Sequence, residues 1–360
     1  MIQKFTTLFK DVTRQGTKIP KEEYLTHGKN IIIDQGQDII AGYTNCEDGI
    51  FKKIPAIVFG DHTRIIKYVD TPFFLGADGV KVLKCTDKNA NYRYLYYALK
   101  NAHIPNTGYN RHFKWLKEIT INYPDKNRQN DIVNILDKLE YIIKMKSQEL
   151  DKFDELIKAR FVEMFGDPQD SKSKWKKSTI EKCCTLKSGK TLPRNIENEG
   201  GNIPYVKVKD MNSLENTTYI TTSTRFVSDK TANKSIFPVG TVIFPKRGGA
   251  IGTNKKRLTK VPICADLNIM GVIPDNTRIS SYYLFEYFNM VDLNTLNNGS
   301  SVPQINNKDI NPLNINIPPL SLQNEFANFV HQVDKSKVAV QKSLDETQKL
   351  FDSLMQEYFG

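Results

Sequence analysis

The sequence predicts an α+β chain: two mixed, strand-rich domains separated by two long antiparallel coiled-coil helices, the halves related by a pseudo-two-fold, cyclic symmetry. Three observations carry this expectation. At 360 residues the chain exceeds what one hydrophobic core usually organises. A stretch of 46 residues with helical patterning occurs twice. The segments outside the two copies share one order of strand-like runs, an aromatic-rich helix and a polar loop.

The repeat sets "INYPDKNRQNDIVNILDKLEYIIKMKSQELDKFDELIKARFVEMFG" (Ile121–Gly166) over "INIPPLSLQNEFANFVHQVDKSKVAVQKSLDETQKLFDSLMQEYFG" (Ile315–Gly360) without a gap, at an offset of 194 residues. About a dozen of the 46 positions are identical, among them Pro124/Pro318, Gln129/Gln323, Asn130/Asn324, Leu150/Leu344, Leu156/Leu350 and the closing Phe-Gly pairs. A proline near the start and a glycine at the end punctuate each copy as one helix. Between them runs a heptad-like apolar seam: Leu136, Ile143, Leu150, Ile157 and Met164 in the first copy, Val330, Leu344, Phe351 and Tyr358 in the second. Lys146 and Arg160 interrupt the first seam, Lys337 and Thr347 the second, so neither helix is matched to an identical copy of itself. A helix of about 38 residues is roughly 57 Å long. Two of them lying antiparallel would hold the intervening domains apart like a calliper.

In the first domain "NIIID", "AIVFGDHTRIIKYV" and "GVKVLKC" read as strands and "YRYLYYALKN" as the helix; in the second, "IPYVKVKDM", "VGTVIFPKR", "NIMGVIP" and "SYYLFEYFNM" take those places. Tyr92, Tyr94, Tyr96 and Tyr97 sit at helical spacing and read as core. A polar loop follows in each half, "IPNTGYNRHFKWLKEI" or "LNNGSSVPQINNKDI".

A net charge of +11 and a pI near 9.2 point to a polyanionic partner, nucleic acid before membrane. No apolar run approaches the roughly 20 residues of a spanning helix, and the first residues lack a signal peptide's apolar stretch, so a cytoplasmic protein is expected. The five cysteines form no C-x-x-C pair and the five histidines no metal-ligand spacing. Reduced thiols and no metal are expected.

The loop "FPKRGGAIGTNKKR" (Phe244–Arg257) matches neither the P-loop nor the dinucleotide fingerprint, since its glycines follow G-G-x-x-G. Two readings survive: a solvated turn, or a turn that brings cations and backbone N–H groups against a polyphosphate. Base readout uses Arg, Lys, Asn, Gln and hydroxyls, and phosphate positioning uses cations and exposed backbone. Those types gather in the loops: His62, Thr63, Arg64, Tyr109, Arg111, His112 and Lys114 in the first half. In the second they are Lys187, Ser188, Lys190, Lys207, Lys209, Lys246, Arg247, Gly248, Gly249, Asn254, Lys255, Ser300, Ser301 and Gln304. These are the candidate DNA-binding residues, and double-stranded DNA is the expected partner. Catalysis at Asp61-His62 is not expected, for no partner carboxylate accompanies them.

The two "INxP…Q-N" openings, "LKSGKTLPRN", "IPYVKVKDM", "GTVIFPKRGGAIGTNKK", "NNGSSVPQIN" and "IPPLSLQNEF" together make the chain resemble, over essentially its whole length, the DNA specificity subunit of type I restriction-modification systems. The resemblance implies target recognition domains at 1–127 and 167–320, each reading half of a bipartite asymmetric site, and spacer helices at 128–166 and 321–360. Leu136, Ile143, Leu150, Ile157, Val330, Leu344 and Phe351 would form the helix–helix and subunit interface. Two modification subunits would dock there and use S-adenosylmethionine; two restriction subunits, where present, would use ATP and Mg²⁺. The chain itself would hold no cofactor and do no chemistry, in keeping with its lack of an N/D-P-P-Y/F motif and a Walker A sequence. The alternatives are the specificity subunit of a fused restriction-methylation system and, in another class, a self-contained nuclease using carboxylates such as Asp210 and Asp266.

Overall fold

Helices α1 (Tyr92–Asn101), α2 (Lys126–Phe165), α3 (Ser281–Met290) and α4 (Leu320–Phe359) organise the chain, and local sequence punctuates each. The computed structural model describes residues 1–76, 79–168, 173–233, 235–296 and 302–360. The side chain of Asn91 caps α1 by accepting from the N–H groups of Arg93 and Tyr94, and Ser280 caps α3 by accepting from Tyr283. The long helices α2 and α4 have 40 residues each, about 60 Å at 1.5 Å per residue. Asp125 Oδ1 accepts the N–H of Arg128 at the start of α2, and Gly166, at φ +81°, ends that helix in the left-handed region.

Two units emerge, residues 1–148 with 341–360 and residues 149–340, so each long helix belongs half to one unit and half to the other. In the first unit a four-stranded antiparallel sheet has the order Phe9–Asp11, Val80–Cys85, Ala56–Gly60, Ile66–Val69. A three-stranded sheet places Asn30–Ile33 between Gly42–Thr44 and Phe73–Leu75, the latter pair parallel. Of the four tyrosines read as core, Tyr92, Tyr94 and Tyr97 are buried with Ile57, Phe59 and Leu83 in the same cluster, whereas Tyr96 is half-buried at its edge. That cluster also takes Ile132, Val133 and Leu136 from the beginning of α2 and Phe351 and Met355 from the end of α4.

In the second unit a five-stranded sheet runs Cys184–Ser188, Ile269–Pro274, Val242–Pro245, Arg257–Thr259, Tyr219–Ile220, with only the last pair parallel. A three-stranded sheet sets Ile203–Val206 between Phe226–Val227 and Cys264–Ala265. Phe161 and Phe165 from the end of α2 pack on Phe326 from the beginning of α4, with ring centroids at 5.5 and 5.6 Å, and both meet Tyr283 of α3. In each unit the start of one long helix therefore lies against the end of the other, the antiparallel sense that the repeat predicts.

The repeated residues have a structural role. Gln129 donates from Nε2 to Pro124 O at 2.8 Å and accepts from the N–H of Asn91, the α1 cap. Gln323 donates to Pro318 O at 2.8 Å and accepts from the N–H of Ser280, the α3 cap, at 2.7 Å. Tyr94 donates its hydroxyl to Asn122 O and Tyr283 its own to Asn316 O. In both halves the short aromatic helix is thus tied to the long helix through one buried glutamine and to the strand before it through one buried tyrosine. A short antiparallel ribbon precedes each long helix: Ile2–Lys4 with Thr120–Asn122, and Lys176–Thr179 with Asn314–Ile317.

Along the seam Leu136, Ile157, Val330 and Phe351 are buried, and Ile143, Leu150 and Leu344 are half-buried. Three of the four polar interruptions are matched on the facing helix. Lys146 donates to Ser343 at 2.8 Å, Lys337 pairs with Asp154 at 2.6 Å and Arg160 with Glu325 at 3.4 Å. Thr347 turns its hydroxyl back onto Ser343 O of its own helix. Exposed pairs of this kind add little stability, yet polar positions in an apolar seam select register and partner. All five cysteines carry free thiols. Among the described residues no helix is long and apolar enough to cross a membrane.

Candidate nucleic-acid interface

In the first unit the strands Ala56–Gly60 and Ile66–Val69 are joined by a tight turn with Arg64 at φ +64°. Gln35 braces this turn: its Oε1 accepts the N–H of His62 at 3.1 Å and its carbonyl accepts the Thr63 hydroxyl at 2.7 Å. Arg64 donates to Ile104 O at 3.1 Å, which ties the turn to the loop carrying Tyr109, Asn110 and Arg111. The same junction has an aromatic pair, His62 and Tyr109 stacked at 4.8 Å and 11° between planes. Tyr109 is 87% exposed, so the ring face away from His62 is presented to solvent.

Asp61 and His112 hold this edge together from beneath. Asp61 is buried; its Oδ1 accepts the N–H of Phe113 at 2.7 Å and its carbonyl accepts the N–H of His112 at 2.8 Å. His112 is fully buried, with Nδ1 at 3.0 Å from the Asp61 carbonyl and Nε2 accepting from Thr107 N–H at 3.4 Å. A carbonyl on one side and an N–H donor on the other fix the tautomer with the proton on Nδ1. His112 therefore shapes the loop from inside, whereas His62, Thr63, Arg64, Tyr109 and Arg111 lie on one rim; Lys114 is exposed and reaches over the Trp115 ring.

In the second unit the predicted cations divide into two groups. Lys187 donates to Ile236 O at 2.7 Å, Lys207 pairs with Glu197 at 2.7 Å, Lys255 donates to Asn212, and Lys246 donates to Ser188 at 2.8 Å. Burial, with Arg247 beside it, holds the Lys246 ammonium below the usual lysine range. Lys190, Lys209 and Arg247 are exposed. Asn254, at φ +53°, accepts from Lys256 Nζ at 2.7 Å and from the N–H of Leu293 at 2.9 Å, so its side chain ties the end of the Gly248–Thr253 turn to Leu293. Gln304 lies beside Arg247 in a β-bridge and donates to Asn306 at 2.6 Å. Ser300 and Ser301 lie outside the described residues.

Asp210 and Asp266, the carboxylates a nuclease reading would need, are committed to structure. Asp210 accepts from Lys207 N–H at 2.8 Å and from the Thr224 hydroxyl at 2.9 Å; Asp266 accepts both Asn268 N–H groups, at 2.9 and 2.6 Å. Sequence reasoning missed Gln35 and assigned no role to the two glutamines of the repeat. The identity of Gln129 and Gln323 was the available signal for the latter; nothing local marks Gln35, whose partners lie 27 and 28 residues on.

A phosphate contact by Arg247 would show as a measurable slope. Arg247→Ala should weaken duplex binding and lower the log–log salt dependence by roughly 0.9, the share of one neutralised phosphate. Lys246→Ala, losing the Ser188 tie, should change the slope less. Equilibrium titrations across a salt series read both; equal slopes for wild type and Arg247→Ala would return this loop to the status of a solvated turn.

Two strand-rich units, each with exposed polar and cationic loop side chains and each tied by the same glutamine-and-tyrosine device to the repeated helical segment, define the class of DNA specificity proteins. The chain belongs to the type I restriction modification DNA specificity domain family, whose profile matches residues 7–152 and again 172–348. It is 24% identical over 330 residues to the EcoR124I/EcoR124II type I restriction enzyme specificity subunit of Escherichia coli, covering 84% of this chain and 79% of that one. It is 22% identical over 263 residues to the MjaIX specificity subunit of Methanocaldococcus jannaschii, covering 67% of this chain and 60% of that protein. Its fold is similar to a crystal structure of the type I restriction-modification S subunit from M. genitalium, with a TM-score of 0.62 at 19% identity over 100% of this chain and 96% of the other. A chain from a structural study of assembly and conformational transition in the type I system gives 0.57 at 14% identity, covering 100% and 97%.

Proposed function

We propose that this chain is the non-catalytic subunit that selects the DNA site of a type I restriction-modification complex. Each unit reads one half of a bipartite, asymmetric site, and the paired helices set the unread spacer between the halves. Two modification subunits dock on the helices and bring S-adenosylmethionine; restriction subunits with ATP and Mg²⁺ join through them, in the cytoplasm. The observation that supports this best is the duplicated design. Two units with the same helix attachment carry unlike exposed side chains, Tyr109 stacked on His62 beside Arg64 in one and Arg247, Lys190 and Lys209 in the other, as expected of a reader of two unlike half-sites.

The test is co-expression with the cognate modification subunit, followed by genome-wide mapping of methylated adenines. A single motif of two unlike defined parts around a fixed undefined gap is expected. A gapless motif, or methylation whose motif is the same without this chain, would overturn the proposal.

A further inference from the structure

The Gly248–Thr253 turn contains three glycines, and the fold accounts for only one. Gly248 sits at φ +70°, where other residues are strained. Gly249 and Gly252 are not in that region. Among the described residues, a Cβ on Gly249 would meet nothing within 4 Å, and one on Gly252 would meet only Asn294 Oδ1 at 3.8 Å, an ordinary contact. The unit's packing glycines are different: a Cβ on Gly189 would lie 2.1 Å from Asp266 O, and one on Gly271 2.5 Å from the Phe237 ring.

Flexibility does not explain Gly249 and Gly252 either, because the turn is anchored throughout. Ile251 is buried, Gly248 N–H donates to Pro303 O at 2.8 Å, Thr253 Oγ1 donates to Ala250 O at 2.7 Å and Asn254 N–H donates to Ile251 O at 2.9 Å. An exposed position that needs neither positive φ nor space, and that is held rigid, is more stable as alanine, because glycine enlarges the entropy of the unfolded chain. Both glycines are exposed, and the exposed Arg247 is two residues from the first.

We propose that Gly249 and Gly252 keep a side-chain-free face on the second unit against which the sugar-phosphate backbone of DNA lies in van der Waals contact, positioned by Arg247. This rests on the DNA-reading function proposed above. The contact positions the duplex and carries no base information itself. A methyl group on either glycine would stand between the protein backbone and the strand.

Full-length Gly249→Ala, Gly249→Val and Gly252→Ala test this with two readouts, thermal midpoint and affinity for a random-sequence duplex. Midpoints equal to or above wild type are expected, with affinity falling about tenfold for each alanine, the equivalent of ~1.4 kcal/mol, and further for valine. Affinities equal to wild type in all three variants would overturn the inference. So would a midpoint that falls with affinity, because the glycines would then serve the fold. Unchanged DNA affinity with weakened capture of the modification subunit would make the face a protein contact and equally refute it. If the wild-type chain itself fails to retain the duplex, the DNA reading fails and this inference with it.

Discussion

Exchanging residues 167–320 for the corresponding segment of a relative should rewrite one half of the methylated motif completely and leave the other half and its bases untouched. Both sheets of the second unit, and every candidate contact in it from Lys187 to Gln304, lie inside that segment. The first rim, from His62 to Lys114, lies outside it. What the exchange does not carry is the helical floor, because Ile157, Phe161, Phe165, Phe326 and Val330 remain from the parent and pack in the core with Tyr283 and Phe288. The incoming α3 must therefore fit these rings, and a poor fit costs about 1–3 kcal/mol. The tie through Gln323 should survive, since it uses only backbone groups, the Ser280 N–H and the Pro318 carbonyl. The measurement is motif mapping beside a thermal melt. A stable chimera that altered both halves, or neither, would contradict independent reading by the two units.

The features visible in the sequence are those with a period or a copy. The long helices, the seam and the aromatic helices repeat at 3.6, 7 or 194 residues, and the strand runs lie between glycines and prolines. Which loop side chains remain available was not visible. Lys187, Lys207 and Lys246 have the residue type that phosphate contact needs, yet Ile236 O, Glu197 and Ser188 engage them. His112 lies in a polar loop and is fully buried because the Asp61 carbonyl, 51 residues earlier in the chain, accepts from its ring. Such pairings arise from tertiary closure, which leaves no periodic trace. The seam interruptions are a similar case. They look like defects in either helix alone, and become a pairing code only when Ser343, Asp154 and Glu325 are set opposite them.

That code decides the behaviour of residues 1–166 expressed alone, which should form a two-fold dimer and, with modification subunit present, direct methylation to a palindrome of the first half-site. The fragment lacks Phe351 and Met355, both buried in the first unit's core beside Leu136 and Tyr97. Moving back along the repeat by 194 residues replaces them with Ile157 and Phe161 of a second copy, residues of the same apolar kind. A monomer would leave that core open, so folding and dimerisation should be coupled and the melting midpoint should rise with concentration. From sequence alone Lys146 and Arg160 are obstacles to self-pairing; the contacts of the intact chain change that expectation. The same shift converts Ser343 into Glu149 and Glu325 into Asp131, so Lys146 and Arg160 would each meet a carboxylate of the other copy. The true mismatch falls where Lys337 pairs with Asp154, because Lys337 becomes Ile143 and leaves Asp154 facing an apolar side chain. Asp154→Leu should therefore tighten the fragment dimer, by about tenfold or ~1.4 kcal/mol, while Lys146→Val should weaken it. Sedimentation of the three fragments at micromolar concentration ranks them, and motif mapping reads the palindrome. A fragment that stays folded as a strict monomer, or that methylates the original asymmetric site, would show that the repeat does not make the halves interchangeable.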